Sequence, residues 1–404
     1  MRLLALNQFY APDHSATAQL LSDLCESLAA QGDEVTVIAG RGGYFGGGRL
    51  PASEVIAGVD VRRPWSTALG KGRLSHRIAD YGSFWGAALV DVLRTARPDV
   101  VLALTTPPML AVGAALGCRA RNVPWVAWVQ DVYPEVAARF GVLSEQGIPY
   151  RALRQVGRRT NQSACRVVAL SERMGERLVQ QGAPADRVRV IHNWADGSQV
   201  ESIPHEANEF RREHGLGDRF VALYSGNLGV GHEFETFAAA ARRLERERPD
   251  ILFLFVGDGA RRPESERLMH GLENVRFLPY QPREKLTQSL SAADVHLVSL
   301  REGLDGLLVP SKLYGALASG RPVFFVGPER CEVSRVVQAH GVGWCGQPGA
   351  VDDLVVALRE AAAAPARTAE TGRRARRVFE EHFDRPHAIS RFRRVLVEAR
   401  EAGR

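Results

Sequence analysis

A repeated alternation of short apolar runs with helical segments constrains the fold of this chain more than any other feature. In the first half the apolar runs are LLALN, VTVIAG, DVVLAL, WVAWV, RVVAL and VRVI. Segments of helical periodicity lie between several of them, such as TAQLLSDLCESLAAQG after the first run and MLAVGAALGCRAR after the third. This alternation predicts a parallel sheet with crossover helices.

The alternation is interrupted once, between residues 192 and 215, where polar and turn residues accumulate. It then resumes with FVALYSG, ILFLFVGDG, VRFLPY, ADVHLVSL and RPVFFVG. The chain of 404 residues is also too long for one typical compact domain. We therefore predict an α/β protein with two doubly wound parallel-sheet domains, residues 1–196 and 197–384.

Composition narrows the cellular setting. The 52 Lys plus Arg residues only slightly outnumber the 46 Asp plus Glu residues, and nearly all of the basic residues are arginine. The cysteines form no CxxC pair, so neither a zinc site nor a disulfide framework is expected; they are Cys25, Cys118, Cys165, Cys331 and Cys345. The N-terminus lacks a signal-peptide pattern and no apolar run is long enough to span a membrane. We expect a cytoplasmic protein.

Ligands of doubly wound domains bind outside the carboxyl ends of the strands. In the second half these positions carry SGNLGVG, GDG and LPYQ. Glycines there allow backbone amides to approach phosphate oxygens closely. The donor-binding candidates in these stretches are Gly226, Asn227, Gly229, Gly257 and Tyr280.

The stretch EGLDGLLVPSKLYGALASGRP, residues 302–322, adds charge to the same end of the predicted sheet. We predict Ser311 as the N-cap of a helix over Lys312 to Ser319, which presents free amides and a lysine. That combination suits a diphosphate, and Glu302 suits sugar hydroxyls beside it. Gly303 and Leu313 complete this candidate site. The alternative is an ordinary loop with a solvated lysine.

These second-half motifs resemble the nucleotide-binding half of a retaining glycosyltransferase of family 4. The first half, with LNQFYAPDHSATAQLL, TTPPML and WVQDVYPE, is similar to the colanic-acid and O-antigen N-acetylfucosamine transferase branch. The resemblance implies the GT-B fold, in which two Rossmann-like domains face a cleft. It also implies metal-independent transfer without a cofactor, and a C-terminal helix (residues 385–404) packed on the first domain.

Two features depart from the family pattern. Glu302 matches the first carboxylate of the usual ExxxxxxxE pair, but Gly315 stands where the second is expected. The phosphate-binding Arg and Lys that usually follow the glycine loop are missing, since GNLGVGHEFE offers only His232. We predict that Lys312 holds the diphosphate instead, with Arg301 and Arg321 as alternatives.

The first domain supplies the acceptor-side candidates. They lie in the loop after the first strand and are Asp13, His14, Ser15 and Thr17. Asp131, expected to close the strand WVAWV, occupies a position where the family often has a histidine near the reacting sugar. The resemblance thus implies that Asp131 contacts acceptor or donor hydroxyls, whereas capping before Pro134 is the structural alternative for both Asp131 and Glu135.

The resemblance implies transfer with retention of configuration and no protein nucleophile. The enzyme then provides electrostatic support for the leaving diphosphate through Lys312 and orients the reacting groups, for which Glu302 contacts sugar hydroxyls and Asp131 is a positioning group; these three are the predicted catalytic residues. The expected donor is a UDP-sugar, and the acceptor is a hydroxyl of a glycan, a polyprenyl-diphosphate-linked or a small molecule. The alternatives are a UDP-N-acetylglucosamine 2-epimerase-like isomerase and a non-catalytic module for RNA or membrane.

Three segments allow further hypotheses. GGYFGGG, residues 42–48, is interpreted as a mobile loop. Residues 62–93 mix basic, aromatic and apolar residues, which suits either an anionic membrane surface or a helix packed on the sheet. Glutamates interleave with the arginines near the C-terminus, which favours a solvated helix face over a nucleic-acid arm.

Overall fold

The computed structural model describes residues 1–43, 49–67, 69 and 74–403. The chain divides into two compact units. The first comprises Met1–His192, Gly306–Leu308 and Pro386–Arg404, and the second comprises Asn193–Asp305 and Val309–Arg385. Residues 44–48 of the loop predicted at 42–48 lie outside the described residues.

The first unit is built on an eight-stranded sheet within the described residues, in the order β3-β4-β2-β1-β5-β6-β7-β8. Its strands are β1 (Arg2–Leu6), β2 (Glu34–Ile38), β3 (Ser53–Ile56), β4 (Val59–Arg62), β5 (Val100–Leu104), β6 (Trp125–Trp128), β7 (Arg166–Ala169) and β8 (Val188–Val190). Its helices are α1 (Ala16–Ala30), α2 (Leu74–Arg94), α3 (Leu110–Arg121), α4 (Glu135–Arg139), α5 (Ile148–Ser163) and α6 (Glu172–Gln180), with a 3-10 turn at Ala185–Arg187.

The second unit is built on a six-stranded sheet in the described residues, in the order β11-β10-β9-β12-β13-β14. Its strands are β9 (Phe220–Ser225), β10 (Ile251–Val256), β11 (Val275–Leu278), β12 (Val295–Ser299), β13 (Val323–Val326) and β14 (Gly343–Gly346). Its helices are α7 (Glu209–Glu213), α8 (Glu235–Glu247), α9 (Arg262–Leu268), α10 (Leu286–Ser291), α11 (Lys312–Ala318), α12 (Glu332–His340), α13 (Val351–Ala363) and α14 (Pro365–His382), with 3-10 turns at His205–Ala207 and Arg283–Lys285.

The predicted α/β architecture is confirmed, with one hairpin missed. Every strand pair in the second sheet is parallel. In the first sheet β3 and β4 pair antiparallel at the edge, joined through Ala57 and Gly58, which both have positive φ. Sequence analysis missed this hairpin because SEVI and VDVR are only four residues each and lack a continuous apolar run. It also missed β14, whose residues are GWCG.

The last helix, α15 (Arg385–Ala402), belongs to the first unit from Pro386 onward. The rings of Trp128 and Phe392 lie 4.5 Å apart between centroids, and Arg166 Nε donates to Glu398 Oε2 at 2.8 Å. Both contacts join the helix to strands β6 and β7. The C-terminal helix is therefore part of the core of the first unit.

Helix α2 occupies most of the segment for which membrane contact was one hypothesis. Phe84, Ala88 and Val92 are buried, and α2 packs against α3. Ile78 and Leu93 on the same helix are exposed. The helix is thus amphipathic and packed in the unit. No helix among the described residues combines the length and the apolar composition needed to cross a bilayer.

Candidate functional site

The second sheet reverses its winding between β9 and β12. From β9 the chain extends the sheet towards β11, and from β12 it extends it the other way, towards β14. Ligands of open α/β sheets bind at such a switch point, outside the carboxyl ends of the strands. Here Gly226 follows β9, Gly257 follows β10, and Ser299 ends β12. Two predicted donor-binding glycines thus lie at the expected edge.

The loop after β9 is held in place by backbone hydrogen bonds and close packing. Gly226 and Gly257 have φ of +118° and +143°, a backbone conformation that residues with a side chain rarely adopt. A Cβ added to Gly257 would lie 2.1 Å from the carbonyl oxygen of Gly226. The N–H of Leu228 donates to the carbonyl oxygen of Asp258 at 2.8 Å. These contacts fix the backbone around Asn227 and Gly229, the other predicted donor-binding residues of the loop.

Lys312, the first residue of α11, extends its side chain to this loop. Its Cε lies 3.3 Å from the position a Cβ on Gly226 would take, and Nζ lies 4.9 Å from the centre of the Tyr224 ring. Within the described part of the chain, no carboxylate lies within ion-pair distance of Nζ. Burial lowers the pKa of Lys312 to about 7. A cation without a carboxylate partner, beside a glycine loop, is suited to an anionic ligand.

His232 is the residue that sequence analysis noted but did not assign to the site. Its Nε2 lies 3.0 Å from Lys312 Nζ, and its Nδ1 lies 2.6 Å from the carbonyl oxygen of Ser299. Arg261 also donates to the His232 carbonyl oxygen at 2.7 Å. The only sequence signal for the contact of His232 with Lys312 was the position of His232 at the end of the glycine loop.

The start of α11 differs in detail from the prediction. Ser311 is the N-cap residue, but its side chain forms no capping hydrogen bond, and the helix ends at Ala318, one residue earlier than predicted. Leu313 is fully buried in the core, so its side chain is unavailable to a ligand. Packing of Leu313 therefore orients the helix, and only its backbone remains available for a role in donor binding.

The remaining second-unit candidates are more exposed. Glu302 is exposed and precedes Gly303, which has φ of +78°, in the loop between β12 and α11. Tyr280 is partly exposed and lies two residues beyond the end of β11. Of the two alternative cations, Arg301 donates to the Val230 carbonyl oxygen at 3.3 Å. Arg321 instead donates to the carbonyl oxygens of Ile203 and Ser291, which is a structural role.

The acceptor-side candidates cluster at the start of α1. Asp13 Oδ1 accepts a hydrogen bond from the N–H of Ser15 at 2.7 Å. Ser15 is the N-cap residue of α1, and its buried Oγ has no hydrogen-bond partner among the described residues. His14 is exposed, and Thr17 is half-buried in the first turn. The hydroxyl of Ser15 is thus the group of this cluster that still needs a partner.

Asp131 does not close its strand as predicted, because β6 ends at Trp128 and Asp131 lies in the following bend. Its N–H donates to Thr105 Oγ1 at 3.3 Å. Burial raises the pKa of the Asp131 carboxyl to about 6. Glu135 begins α4, and its carboxylate lies 3.7 Å from Arg154. The two carboxylates therefore differ in their surroundings: Glu135 lies near an arginine, whereas burial alone raises the pKa of Asp131.

Three further polar residues near the strand ends of the first sheet were missed by sequence analysis. Asn7 and Gln130 are buried, and Oδ1 of Asn7 and Nε2 of Gln130 have no hydrogen-bond partner in the described residues. Arg63 is also buried, and its guanidinium donates to the carbonyl oxygen of Ala11 at 2.7 Å, which ties down the loop that carries Asp13. No sequence pattern identifies these side chains. What distinguishes them is the burial of their polar atoms, which is known only from the folded structure.

Comparison with known proteins decides the family. Residues 16–194 match the family model described as glycosyl transferase 4-like domain, and residues 206–378 match that of glycosyl transferases group 1. The two matches together take in most of the chain. The chain belongs to the family 4 glycosyltransferases. The resemblance predicted from sequence is therefore confirmed.

Two relatives of this family 4 glycosyltransferase place it in the branch that was predicted. It is 34% identical over 256 residues to the probable glycosyltransferase WbjE of Pseudomonas aeruginosa, a match covering 62% of this chain and 63% of WbjE. It is 25% identical to the putative colanic acid biosynthesis glycosyl transferase WcaI of Escherichia coli K12, over 97% of this chain and 98% of WcaI.

Solved structures share the fold of this family 4 glycosyltransferase. Anabaena HepE in complex with UDP and glucose has a TM-score of 0.75 at 17% identity, covering 98% of this chain and 99% of HepE. Sucrose-phosphate synthase of Thermosynechococcus elongatus has a TM-score of 0.76 at 17% identity, with all of both chains covered. The fold is GT-B, with two parallel-sheet domains.

Proposed function

We propose that this family 4 glycosyltransferase transfers a sugar from a UDP-sugar, with retention of configuration, to a hydroxyl of a glycan, a polyprenyl-diphosphate-linked or a small-molecule acceptor. One observation carries the donor proposal. The ammonium group of Lys312 lies against the glycine loop at the switch point of the second sheet, without a carboxylate in the described residues to neutralise it. A diphosphate supplies the missing negative charge.

The choice of uridine rests on proteins of the same fold. HepE was crystallised with UDP, with UDP and glucose, and with UDP-glucose. A trehalose-phosphate synthase described as UDP-forming has a TM-score of 0.71. These names support a UDP-sugar as the donor of this protein. A panel of nucleotide sugars compares it with donors that carry other bases.

In the proposed reaction Lys312 stabilises the negative charge that develops on the leaving diphosphate. Electrostatic support of this kind is commonly worth about two to three powers of ten in rate. The acceptor hydroxyl itself attacks the anomeric carbon as the bond from that carbon to the diphosphate breaks, so no protein nucleophile takes part, and the departing phosphate accepts the proton of the hydroxyl. The backbone amide of Gly226 already donates to the Val256 carbonyl oxygen at 2.8 Å, so that of Gly229 assists the diphosphate. Gly226, Asn227, Gly257, Tyr280, Gly303 and Ser311 line the donor. Since Lys312 supplies the charge, we expect activity to persist in excess chelator.

The acceptor is proposed to contact the first unit. Ser15 offers an unpartnered hydroxyl, and Asp13, His14 and Thr17 are its neighbours in the chain. Asp131 is proposed to accept hydrogen bonds from a sugar hydroxyl, for which its ionised form is needed. Because burial raises the pKa of this carboxyl to about 6, we expect its contribution to be lost as the pH falls below that value.

Incubation of the purified protein with a panel of nucleotide sugars, with and without acceptor, tests the function. Transfer requires both substrates, whereas a 2-epimerase would convert UDP-N-acetylglucosamine without acceptor and a binding module would leave every donor intact. Lys312→Ala should lower the rate of transfer by about two powers of ten. Glu302→Gln should weaken discrimination among donor sugars, and unchanged preference would remove Glu302 from the sugar subsite.

We further propose that the protein is cytoplasmic and binds the inner face of the membrane through α5. This helix carries four arginines and no acidic residue in its sequence, and Ile148 at its start is 82% exposed. Basic residues beside exposed apolar side chains favour anionic lipid surfaces. Helix α14 differs, because it also contains glutamates, and several of its arginines pair with them, as Arg373 does with Glu370.

Co-sedimentation with vesicles tests the membrane proposal. Arg151, Arg158 and Arg159 are exposed on α5, and changing all three to glutamine should reduce binding to vesicles that contain phosphatidylglycerol. The matched control changes Arg373, Arg374 and Arg377 of α14, which has the same loss of charge. Equal effects of the two triple variants, or equal binding to neutral phosphatidylcholine vesicles, would contradict a role for α5.

A further inference from the structure

Lys312 extends from α11 to the glycine loop, and the histidine at the end of that loop lies within hydrogen-bond distance of its ammonium group. His232 lies at the end of the loop, and its Nε2 is 3.0 Å from Lys312 Nζ. His232 is buried, its ring contacts the edge of Tyr224 at 5.9 Å between centroids, and its N–H donates to the carbonyl oxygen of Gly229. The imidazole is therefore held in place independently of the lysine.

The second ring nitrogen fixes the proton on the imidazole. Nδ1 lies 2.6 Å from the carbonyl oxygen of Ser299, and a carbonyl oxygen only accepts hydrogen bonds. Nδ1 must therefore carry the hydrogen. Burial lowers the pKa of His232 well below its usual range, and the neighbouring Lys312 lowers it further. The ring is then neutral, with the lone pair of Nε2 directed to Lys312 as an acceptor.

We propose that His232 is a positioning residue for donor binding: its neutral Nε2 accepts a hydrogen bond from Lys312 and holds the ammonium group at the glycine loop. This inference rests on the proposed function of Lys312. A carboxylate in the same place would hold the lysine too, but it would cancel the charge that the diphosphate needs. An uncharged acceptor orients the cation and leaves its charge available to the ligand.

The surroundings of the pair agree with this role. The groups that face it are the Tyr224 ring, which Nζ approaches at 4.9 Å, the backbone of Gly226 and Ser299, and the guanidinium of Arg261 behind His232. Arg261 is itself paired with Glu235 and Glu264, whereas no carboxylate of the described residues pairs with Lys312. Ser299 serves twice, because its Oγ also accepts the N–H of Glu233 at 3.1 Å.

Two substitutions at one position test the proposal. His232→Leu removes the acceptor and keeps much of the bulk, whereas His232→Gln places an amide oxygen close to the position of Nε2. With UDP as the probe in titration calorimetry, we expect His232→Leu to weaken binding about tenfold or more and His232→Gln to restore most of the affinity. Wild-type affinity and an unchanged pH dependence in His232→Leu would overturn the proposal.

A second buried histidine of the same unit serves as the control for stability. His296 lies in β12, and its Nε2 is 3.1 Å from the Leu290 carbonyl oxygen and 3.2 Å from Ser319 Oγ. His296→Leu should lower the melting temperature as His232→Leu does, because both remove a buried hydrogen-bonding group. It should leave the affinity for UDP unchanged. Equal loss of affinity in both variants would show a structural effect and contradict positioning.

A ligand-free measurement separates this inference from the proposed function. The sequence contains three lysines, Lys71, Lys285 and Lys312, so lysine-labelled protein gives few side-chain resonances in NMR. The Lys312 resonance should titrate at a different pH in His232→Leu and near the wild-type pH in His232→Gln. If UDP fails to bind the wild type but this pattern is seen, the donor proposal fails alone. An identical titration in all three proteins refutes the role of His232.

Discussion

The desolvated position of Lys312 makes its charged form unfavourable for the stability of the folded protein. The pKa of its side chain is lowered to about 7, whereas an unfolded lysine titrates near 10.4. The unfolded chain therefore binds more protons between these values, so the free energy of unfolding rises with pH across this window. Below it, the folded protein bears the full penalty of a desolvated cation. Such a penalty is expected of a residue retained for binding.

Lys312→Met should therefore stabilise the protein and abolish its affinity for UDP. We expect a gain of about 1–2 kcal/mol in the free energy of unfolding at pH 6, because an apolar chain of similar length replaces a desolvated ammonium group. The gain should decrease as the pH rises above about 7 and be largely lost near pH 10.5, where the folded-state lysine is neutral and about half of the unfolded-state lysine is. Thermal unfolding across this pH range measures it. A loss of stability at pH 6 would mean that the cation has a favourable partner.

Gly257 illustrates a constraint that only the folded chain reveals. Gly257→Ala should destabilise the protein by about 2 kcal/mol or more, since the new Cβ would lie 2.1 Å from the carbonyl oxygen of Gly226 at φ of +143°. Gly271 is the matched control, with φ of +81° and nothing within 4 Å of an added Cβ. Gly271→Ala should cost about 1 kcal/mol, from the backbone alone. Chemical denaturation of both variants compares them, and equal costs would contradict the clash.

Among the elements, the strands with continuous apolar runs were predictable and the others were not. ILFLFV in β10 is buried at every position, so its sequence resembles the interior of a parallel sheet. Strand β3 lies at an edge, where one face contacts solvent, and its alternating residues are too few to distinguish it from a loop. The candidate donor site was predictable from the same strands, because glycines follow β9 and β10. The contact of Lys312 with His232 was not, since 80 residues separate them.

Helix α15 makes a further prediction at this scale. Phe392 is fully buried against Trp128 of β6, so Phe392→Ala should destabilise the first unit by about 3–5 kcal/mol. Hydrogen exchange should then become faster at the amides of β6. The control is Val356→Ala in α13, where half of the side chain is already exposed. Unchanged protection of β6 in Phe392→Ala would show that α15 contributes little to this core.

For the whole molecule, the affinity for UDP should fall as the pH rises, because Lys312 loses its proton. Binding needs the ammonium form, which the free protein loses above about pH 7. A bound diphosphate raises the pKa of the lysine, so binding takes up a proton. We expect the affinity to fall by up to about tenfold per pH unit between about pH 7.5 and 9, where the phosphates of UDP remain ionised.

Lys312→Arg provides the control for this dependence, because a guanidinium stays charged over the whole range. Its affinity should be nearly constant with pH, whatever its absolute value. Calorimetry in buffers of different ionisation enthalpy measures the proton uptake directly. A flat profile in the wild type would show that Lys312 is charged throughout and that its desolvation has been compensated.

An amine that loses its proton near neutrality is also a nucleophile near neutrality. Lys312 therefore offers a route to covalent capture: an aldehyde placed on a uridine nucleotide should condense with it to an imine, which borohydride would trap. Lys285 Nζ donates to Glu213 Oε2 at 2.8 Å, and this ion pair should make it react far more slowly. A chain so rich in arginine and so poor in lysine would then carry its label at Lys312, and mass spectrometry would identify the labelled residue.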